Sequence, residues 1–288
     1  MWIKFLLLAF FLLALVGAFI VEPAREREHL RDRADGRADI GKRLRLLTWN
    51  IGNGDLEAET RAHSEDLPAV ARVILDNDAD AVALQELTGE DQLRLLLMHL
   101  NNRYRGYVSS RGSSDRFEAV LVKNNNDHPG RGEAGVIFSD VPAGSRFAAA
   151  ATFGLRKDSP EVVLVSAHAD AFSAARRRTF AADVADWARS HTGSGLTFIA
   201  GDFNFEVSAK NKNNLFTDDA KHDSESYAYL LRYFRDLGLN AGETAINDRR
   251  IDYVFGPAAT VSLLRAEVLR SAAVGRMDHW PLLIEVSF

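Results

Sequence analysis

Leu44-Arg45-Leu46-Leu47-Thr48-Trp49-Asn50 is a short apolar run carrying one aromatic ring, and it stops at the glycine-bearing Ile51-Gly52-Asn53-Gly54. A run of this length bounded by turn residues reads as a buried strand. After it, Leu67, Val70, Ala71 and Ile74 recur at helical spacing, with Ser64 as a candidate N-cap and Pro68 tolerable in the first turn. Ala81–Glu86 reads as a second strand, and Leu93, Leu96, Leu97 and Leu100 form a second helical face. The same reasoning predicts strands at Phe117–Lys123, Gly135–Ser139, Phe147–Phe153, Val162–His168, Leu196–Asp202, Ile251–Phe255 and Leu282–Phe288. Helices are expected at Ser173–Ser190, with Phe180, Val184 and Trp187 inward, and at Glu225–Asp236, with Tyr227, Leu230, Leu231 and Phe234 inward. No internal repeat or interior linker interrupts this order, so one mixed α/β domain is expected over residues 44–288.

The amino-terminal residues are of another kind. Phe5–Val21 (FLLLAFFLLALVGAFIV) has no charge and no polar face, and about 20 apolar residues suffice to cross a bilayer core. Residues 1–21 are therefore expected to be a hydrophobic helix that anchors the chain in a membrane; the alternative is a cleaved secretory signal ending near Val16-Gly17-Ala18. Arg25, Arg27, Arg31, Arg33 and Arg37 follow the span, which by charge alone would keep the carboxyl side cytoplasmic. Large domains cross largely regardless of flanking charge, and the very short leading tail is typical of export, so the expected location is the outer or periplasmic side. Residues 22–43 alternate acid and base with few apolar residues and read as a solvated linker.

The whole chain has 288 residues, 47% hydrophobic and 26% charged, with a net charge of −5, which excludes collagen-like and wholly disordered classes. No basic excess announces a nucleic-acid binder, although a bound cation can supply local positive charge. The absence of cysteine removes disulfides, thiolate metal sites and cysteine nucleophiles.

Six short segments carry polar residues where apolar strands stop: Trp49-Asn50-Ile51-Gly52, Leu84-Gln85-Glu86, Ser166-Ala167-His168, Gly201-Asp202-Phe203-Asn204, Arg250-Ile251-Asp252-Tyr253 and Asp278-His279. A side chain at the mouth of a strand is held by the sheet yet faces a crevice. Oxygen donors with two imidazoles and no sulfur favour a hard cation such as Mg²⁺, Mn²⁺ or Ca²⁺. Taken singly, each segment also reads as an ordinary turn or a solvated strand end; Asp and Asn cap turns well, for example, and a lone His in an apolar strand is commonly a hydrogen-bonded core residue. His29, His63, His99, His128, His191 and His222 lie on polar stretches and read as surface residues. Lys123–Asp127 and Lys210–Asn214 read as solvated loops, and the long loop Glu206–Ser224 as a wall of a substrate groove.

Taken together and in this order, the six segments resemble the endonuclease/exonuclease/phosphatase superfamily, the DNase I-like fold, over residues 44–288. That resemblance implies an α+β, four-layer α/β/β/α sandwich: two mixed β-sheets face to face with outer helices, and the site at one end. It implies a hydrolase that uses Mg²⁺ (or Mn²⁺) and water to cleave phosphodiesters. By the same likeness Asn50, Glu86 and Asp278 would serve the metal, and Asp202 would orient and deprotonate the water with Asn204 beside it. His279 would hold the phosphate with Asp252 behind it, and His168 would be the second histidine. A nuclease acting on DNA or RNA is the leading expectation; a phospholipid or sphingolipid head-group phosphodiesterase or phosphatase is the alternative, and a non-catalytic binding domain a lesser one. A monomer is expected. Ala169 and Met277 depart from the residues usual for the family. No arginine matches its further phosphate contacts with certainty, leaving Arg111, Arg131 and Arg146 as candidates for substrate binding.

Overall fold

The computed structural model of the chain describes residues 43–52, 66–112, 115–124, 135–155, 159–191, 195–207, 220–275 and 277–288. The expected anchor helix, residues 22–42 of the charged linker, His29, His63, Ser64, His128, Arg131 and the loop Lys210–Asn214 lie outside the described residues, and the first described helix is capped at Asp66 rather than at Ser64.

Among the described residues, one six-stranded sheet contains β1 (Arg43–Asn50), β2 (Ala81–Leu87), β3 (Tyr104–Val108), β4 (Phe117–Lys123), β11 (Ser262–Val268) and β12 (Leu282–Ser287), in the order β11-β12-β1-β2-β4-β3. The other contains β5 (Val136–Ala143), β6 (Arg146–Gly154), β7 (Glu161–His168), β8 (Leu196–Asp202), β9 (Phe234–Asp236) and β10 (Asp252–Pro257), in the order β5-β6-β7-β8-β10-β9. Each sheet is mixed: β1 pairs with β2 in parallel, as does β7 with β8, and antiparallel strands flank both pairs. The sheets pack face to face, with helices outside.

The period of two explains both the core and the site. Successive side chains on a strand point to opposite faces. On the inner face Leu44 and Leu46 of β1, Ala81 and Ala83 of β2, Val120 and Val122 of β4, Val162 and Leu164 of β7, Leu196, Phe198 and Ala200 of β8 and Val254 of β10 form one buried cluster. Continued by the same period, each row turns polar: Thr48 and Asn50, Gln85, Glu118, Ser166 and His168, Asp202, and Asp252. All these polar ends are buried, and they meet at one end of the sandwich.

The opposite faces take the helices. Leu47 and Trp49 of β1 pack with Leu67, Val70 and Ile74 of α1 (Leu67–Asp76) and Leu93 and Leu96 of α2 (Glu90–His99). Phe180, Ala181, Val184, Ala185 and Ala188 of α3 (Ala174–His191), with Leu230 of α4 (Ala220–Leu231), cover the other sheet. Trp187, expected inward, is half-buried at the margin of that cluster. His99 and His191 are exposed, as the sequence reading expects.

Three expectations are corrected. The helix expected over Glu225–Asp236 runs instead from Ala220 to Leu231, so the tail of the expected loop Glu206–Ser224 is helical. Phe234–Asp236 then forms β9, where Phe234 is paired with Pro257 and buried, while Leu231 is exposed. A strand partner satisfies the backbone groups of β10 at this edge, which a continued helix could not. β3 and β11 were not expected either; both are edge strands, and β11 is mostly exposed.

Candidate active site

The mouth of the sandwich is built on a few backbone devices. Between Leu84 and Leu87 of β2 the register against β4 shifts, so that Gln85 and Glu86 together stand opposite Glu118. This bulge, with Glu86 at φ +64°, turns two consecutive side chains towards the space between the sheets. A non-glycine residue in that conformation is held there by its surroundings. Gly52 leaves room for it, because a Cβ at residue 52 would overlap the Glu86 carboxylate.

A polar layer separates the site from the apolar core. Gln85 Nε2 donates to Ser166 Oγ across the sheets at 2.9 Å, and Ser166 Oγ donates to the Leu84 carbonyl at 2.9 Å. Thr48 completes it at 3.4 Å from Gln85 Nε2. Buried polar groups require such partners.

Above this layer the residues singled out from sequence come together. Asn50 Nδ2 donates to Glu86 Oε1 at 3.2 Å and to Asp202 Oδ2 at 3.1 Å, and so joins the two sheets. His168 Nε2 lies 3.6 Å from Glu86 Oε1 and 3.7 Å from Asp202 Oδ2. His279 Nε2 lies 3.7 Å from the same Asp202 oxygen, and His279 Nδ1 is 2.8 Å from Asp252 Oδ2. Asp278 Oδ1 stands 4.0 Å from His279 Nε2. Asn204, at φ +51°, donates its main-chain N–H to Asp202 Oδ1 at 2.8 Å and its amide to the Ala169 carbonyl at 3.2 Å. Trp49 Nε1 donates to the His279 carbonyl at 3.1 Å and ties that residue to β1.

Of the arginine candidates, Arg146 is beside the site: its guanidinium is 3.4 Å from the His168 carbonyl and 3.4 Å from Asp170. Arg111 lies over the ring of neighbouring Phe147, 5.4 Å from its centroid. The sequence reading did not single out Arg116, whose Nη1 is 2.6 Å from Glu86 Oε2. Nor did it find Glu118, whose Oε1 is 3.5 Å from His168 Nδ1, although a carboxylate on the inner face of an apolar strand was a signal.

The electrostatics divide the two histidines. For His279 burial alone would favour the neutral ring, but Asp252 and then Asp202 outweigh it and raise its pKa to about 10. His279 is therefore an imidazolium that donates through Nδ1 to Asp252. His168 goes the other way: burial, then Arg146, His279 and Arg116, drive its pKa well below the ordinary value. The carboxyl next to it gives no rescue, because burial raises Glu118 to about 8 and leaves it protonated at neutral pH. His168 is thus a neutral ring. Asp202 is raised to about 7, chiefly by burial, with His279 opposing and Asp252 adding to the rise.

A direct expectation concerns His279 in the metal-free protein. A folded-state pKa above the unfolded value contributes stability that is fully present below pH ~6.5 and is lost as pH rises through about 10. NMR titration of the ring should show a cation throughout the neutral range, and Asp252→Asn should move its midpoint down. A ring already neutral at pH 7 in the wild type would contradict the assignment.

Could the site hold a metal ion? Among the described residues, Asp202, Asp252 and His279 have potential ligand atoms within 4.8 Å of one another. His279 is a poor ligand here, since a ligating imidazole must be neutral and its Nδ1 is engaged with Asp252. Asn50, Glu86 and Asp278 offer oxygen instead, and Asp278 Oδ1 is buried without a hydrogen-bond partner. That donor set fits a hard divalent cation.

A buried carboxyl poised near neutrality, an imidazolium aimed at the same place and a set of oxygen donors gather at one end of the sandwich, an arrangement suited to acid–base chemistry on a phosphoester. The chain belongs to the endonuclease/exonuclease/phosphatase family, whose model matches residues 47–280. No curated protein sequence matches. Similar solved structures include an endonuclease/exonuclease/phosphatase from Bacteroides vulgatus (17% identity, TM-score 0.64, covering 85% of this chain and 99% of that one). The human Nocturnin catalytic domain with bound sulfate has 17% identity and a TM-score of 0.63, covering 87% and 96%. A mannosyl-6-phosphatase from Bacteroides thetaiotaomicron has 17% identity and a TM-score of 0.59, covering 85% and 100%. At these identities the likeness establishes the shared fold.

Proposed function

We propose that the protein is a divalent-metal-dependent phosphodiesterase of nuclease type, acting on DNA or RNA. The observation that carries this reading is Asp202: a buried carboxyl near pKa 7 within 3.7 Å of the His279 imidazolium. A general base works best when its pKa lies near the operating pH. A water oriented by Asp202 attacks phosphorus and gives its proton to that carboxylate, while the bond from phosphorus to the leaving oxygen breaks. His279, kept cationic by Asp252, donates to a non-bridging phosphoryl oxygen as charge builds there. Neutral His168 orients a second phosphoryl oxygen, and Asn204 fixes the Asp202 carboxylate through its main-chain N–H. Asn50, Glu86 and Asp278 would hold Mg²⁺ or Mn²⁺, which when bound supplies charge stabilisation to the phosphoryl group.

The choice of nucleic acid rests on the flank beside His168, where Arg146 and Arg116 stand at the site, Arg111 lies over the Phe147 ring, and Arg176 reaches Asp170. Guanidiniums beside a phosphoester site suit a polyanion. A second reading, a lipid head-group phosphodiesterase or phosphatase, is favoured by Phe172, 56% exposed on the loop after His168, and by Ile246, 44% exposed and bonded through its N–H to the Asp278 carbonyl. An anchor in residues 1–21 would place the domain at a bilayer, on the outer or periplasmic side.

The full-length protein, assayed with Mg²⁺ or Mn²⁺, decides between them. DNA or RNA should be cleaved, with affinity weakening steeply as salt rises. Turnover confined to sphingomyelin or phospholipid vesicles would select the second reading, and no turnover of any phosphoester, monoesters included, would overturn both.

A further inference from the structure

We propose that Thr244 is a positioning residue for the Asp252–His279 pair. The inference deepens the reading above and rests on it. Thr244 is fully buried, and its hydroxyl oxygen accepts two consecutive main-chain N–H groups, from Ile251 at 3.2 Å and from Asp252 at 3.0 Å. Its own main chain faces the other partner of the pair. The Thr244 carbonyl accepts the Trp280 N–H at 2.7 Å, Ala245 bridges His279, and the Ile246 N–H reaches the Asp278 carbonyl at 2.8 Å. The Thr244 N–H donates to the Arg249 carbonyl at 2.8 Å, which folds residues 244–252 back on themselves.

One side chain therefore fixes the first residue of β10 while its backbone fixes the segment that carries His279. β8 and β1 also hold the pair: Asp252 pairs with Asp202, whose Oδ2 lies 3.7 Å from His279 Nε2, and Trp49 holds the His279 carbonyl. The Asp252 carboxylate also has little else to orient it. Oδ2 meets His279, and Oδ1 is buried with no hydrogen-bond partner. Its direction then depends on where its main chain is anchored, and the Thr244 hydroxyl anchors it from the side away from its pairing with Asp202 in β8. A shift of the order of 1 Å in such a constellation can cost about 10²-fold in rate.

The test compares Thr244→Val with Thr244→Ser, alone and combined with Asp252→Asn, with wild-type turnover of the best diester measured alongside. Thr244→Val removes the acceptor at nearly constant volume and should lower kcat about 10- to 100-fold with KM little changed. Thr244→Ser restores the oxygen and should restore kcat. In the Asp252→Asn background the Val substitution should cost almost nothing more, because residues acting as a unit are not additive. If Thr244→Val does not fold, Thr244→Ala enters the cycle in its place, its vacated volume letting water reach the two N–H groups. Wild-type kcat in the Val or Ala variant, loss of kcat in folded Thr244→Ser, or a full additional loss on top of Asp252→Asn would each overturn the positioning role. An inactive wild type would instead sink the phosphoesterase reading and this inference with it.

Discussion

Asp202→Asn should lower turnover by about 10²–10⁴-fold and leave the melting temperature unchanged or higher. The side chain is 2% exposed, and burial is the main reason its carboxyl sits near pKa 7. Such a group is held ionised at the expense of the fold, so an uncharged amide of the same shape relieves it while removing the base. Oδ1 accepts the Asn204 N–H and Oδ2 the Asn50 amide, so Asn supplies an acceptor for the first and loses one for the second. Loss of rate without loss of folding is what distinguishes a reacting group from a structural one. Steady-state kinetics and a thermal melt on the same preparation measure both, and unchanged turnover would remove Asp202 from the mechanism.

The second large effect is expected on metal removal. Excess EDTA should abolish activity, and Mg²⁺ or Mn²⁺ should restore it. Asn50, Glu86 and Asp278 supply only oxygen, the ligand type of hard cations, and the chain contains no cysteine to favour softer ones. Asp278 Oδ1 is a buried acceptor with no hydrogen-bond partner. Buried acceptors are normally satisfied, and a cation would satisfy this one. Full activity in excess chelator would refute the metal requirement while leaving the Asp202 prediction standing.

The central strands were readable because burial on both faces writes itself into continuous apolar runs such as Leu196–Asp202 and Val162–His168, each ending in the polar residue that matters. The three strands that escaped, β3, β9 and β11, all lie at sheet edges. An edge strand needs no apolar pattern: β11 keeps Leu263 and Leu264 exposed beside Arg265 and Glu267, and β9 is three residues long. Site residues that end a buried strand were found for the same reason, with the exception of Glu118 at the head of β4. Arg116 and Thr244 were not, since both lie outside the helices and extended strands, where no periodicity marks which polar side chain turns inward. A cationic His279 backed by Asp252 was expected from the family likeness, but the neutral state of His168 was hidden, because it follows from burial and from Arg146, His279 and Arg116, which are distant in sequence from the ring.

The seam has a mechanical implication. Asn50 and Gln85 belong to one slab of strands, Asp202 and Ser166 to the other, and their cross-links fall within one hydrogen-bond length. The spacing between slabs is therefore part of the machinery, set from beneath by side chains such as Phe198 and Leu164 that never touch a reactant. Trimming one of them would let the halves settle towards each other, and catalysis would drift out of tune at temperatures where the protein is still entirely folded.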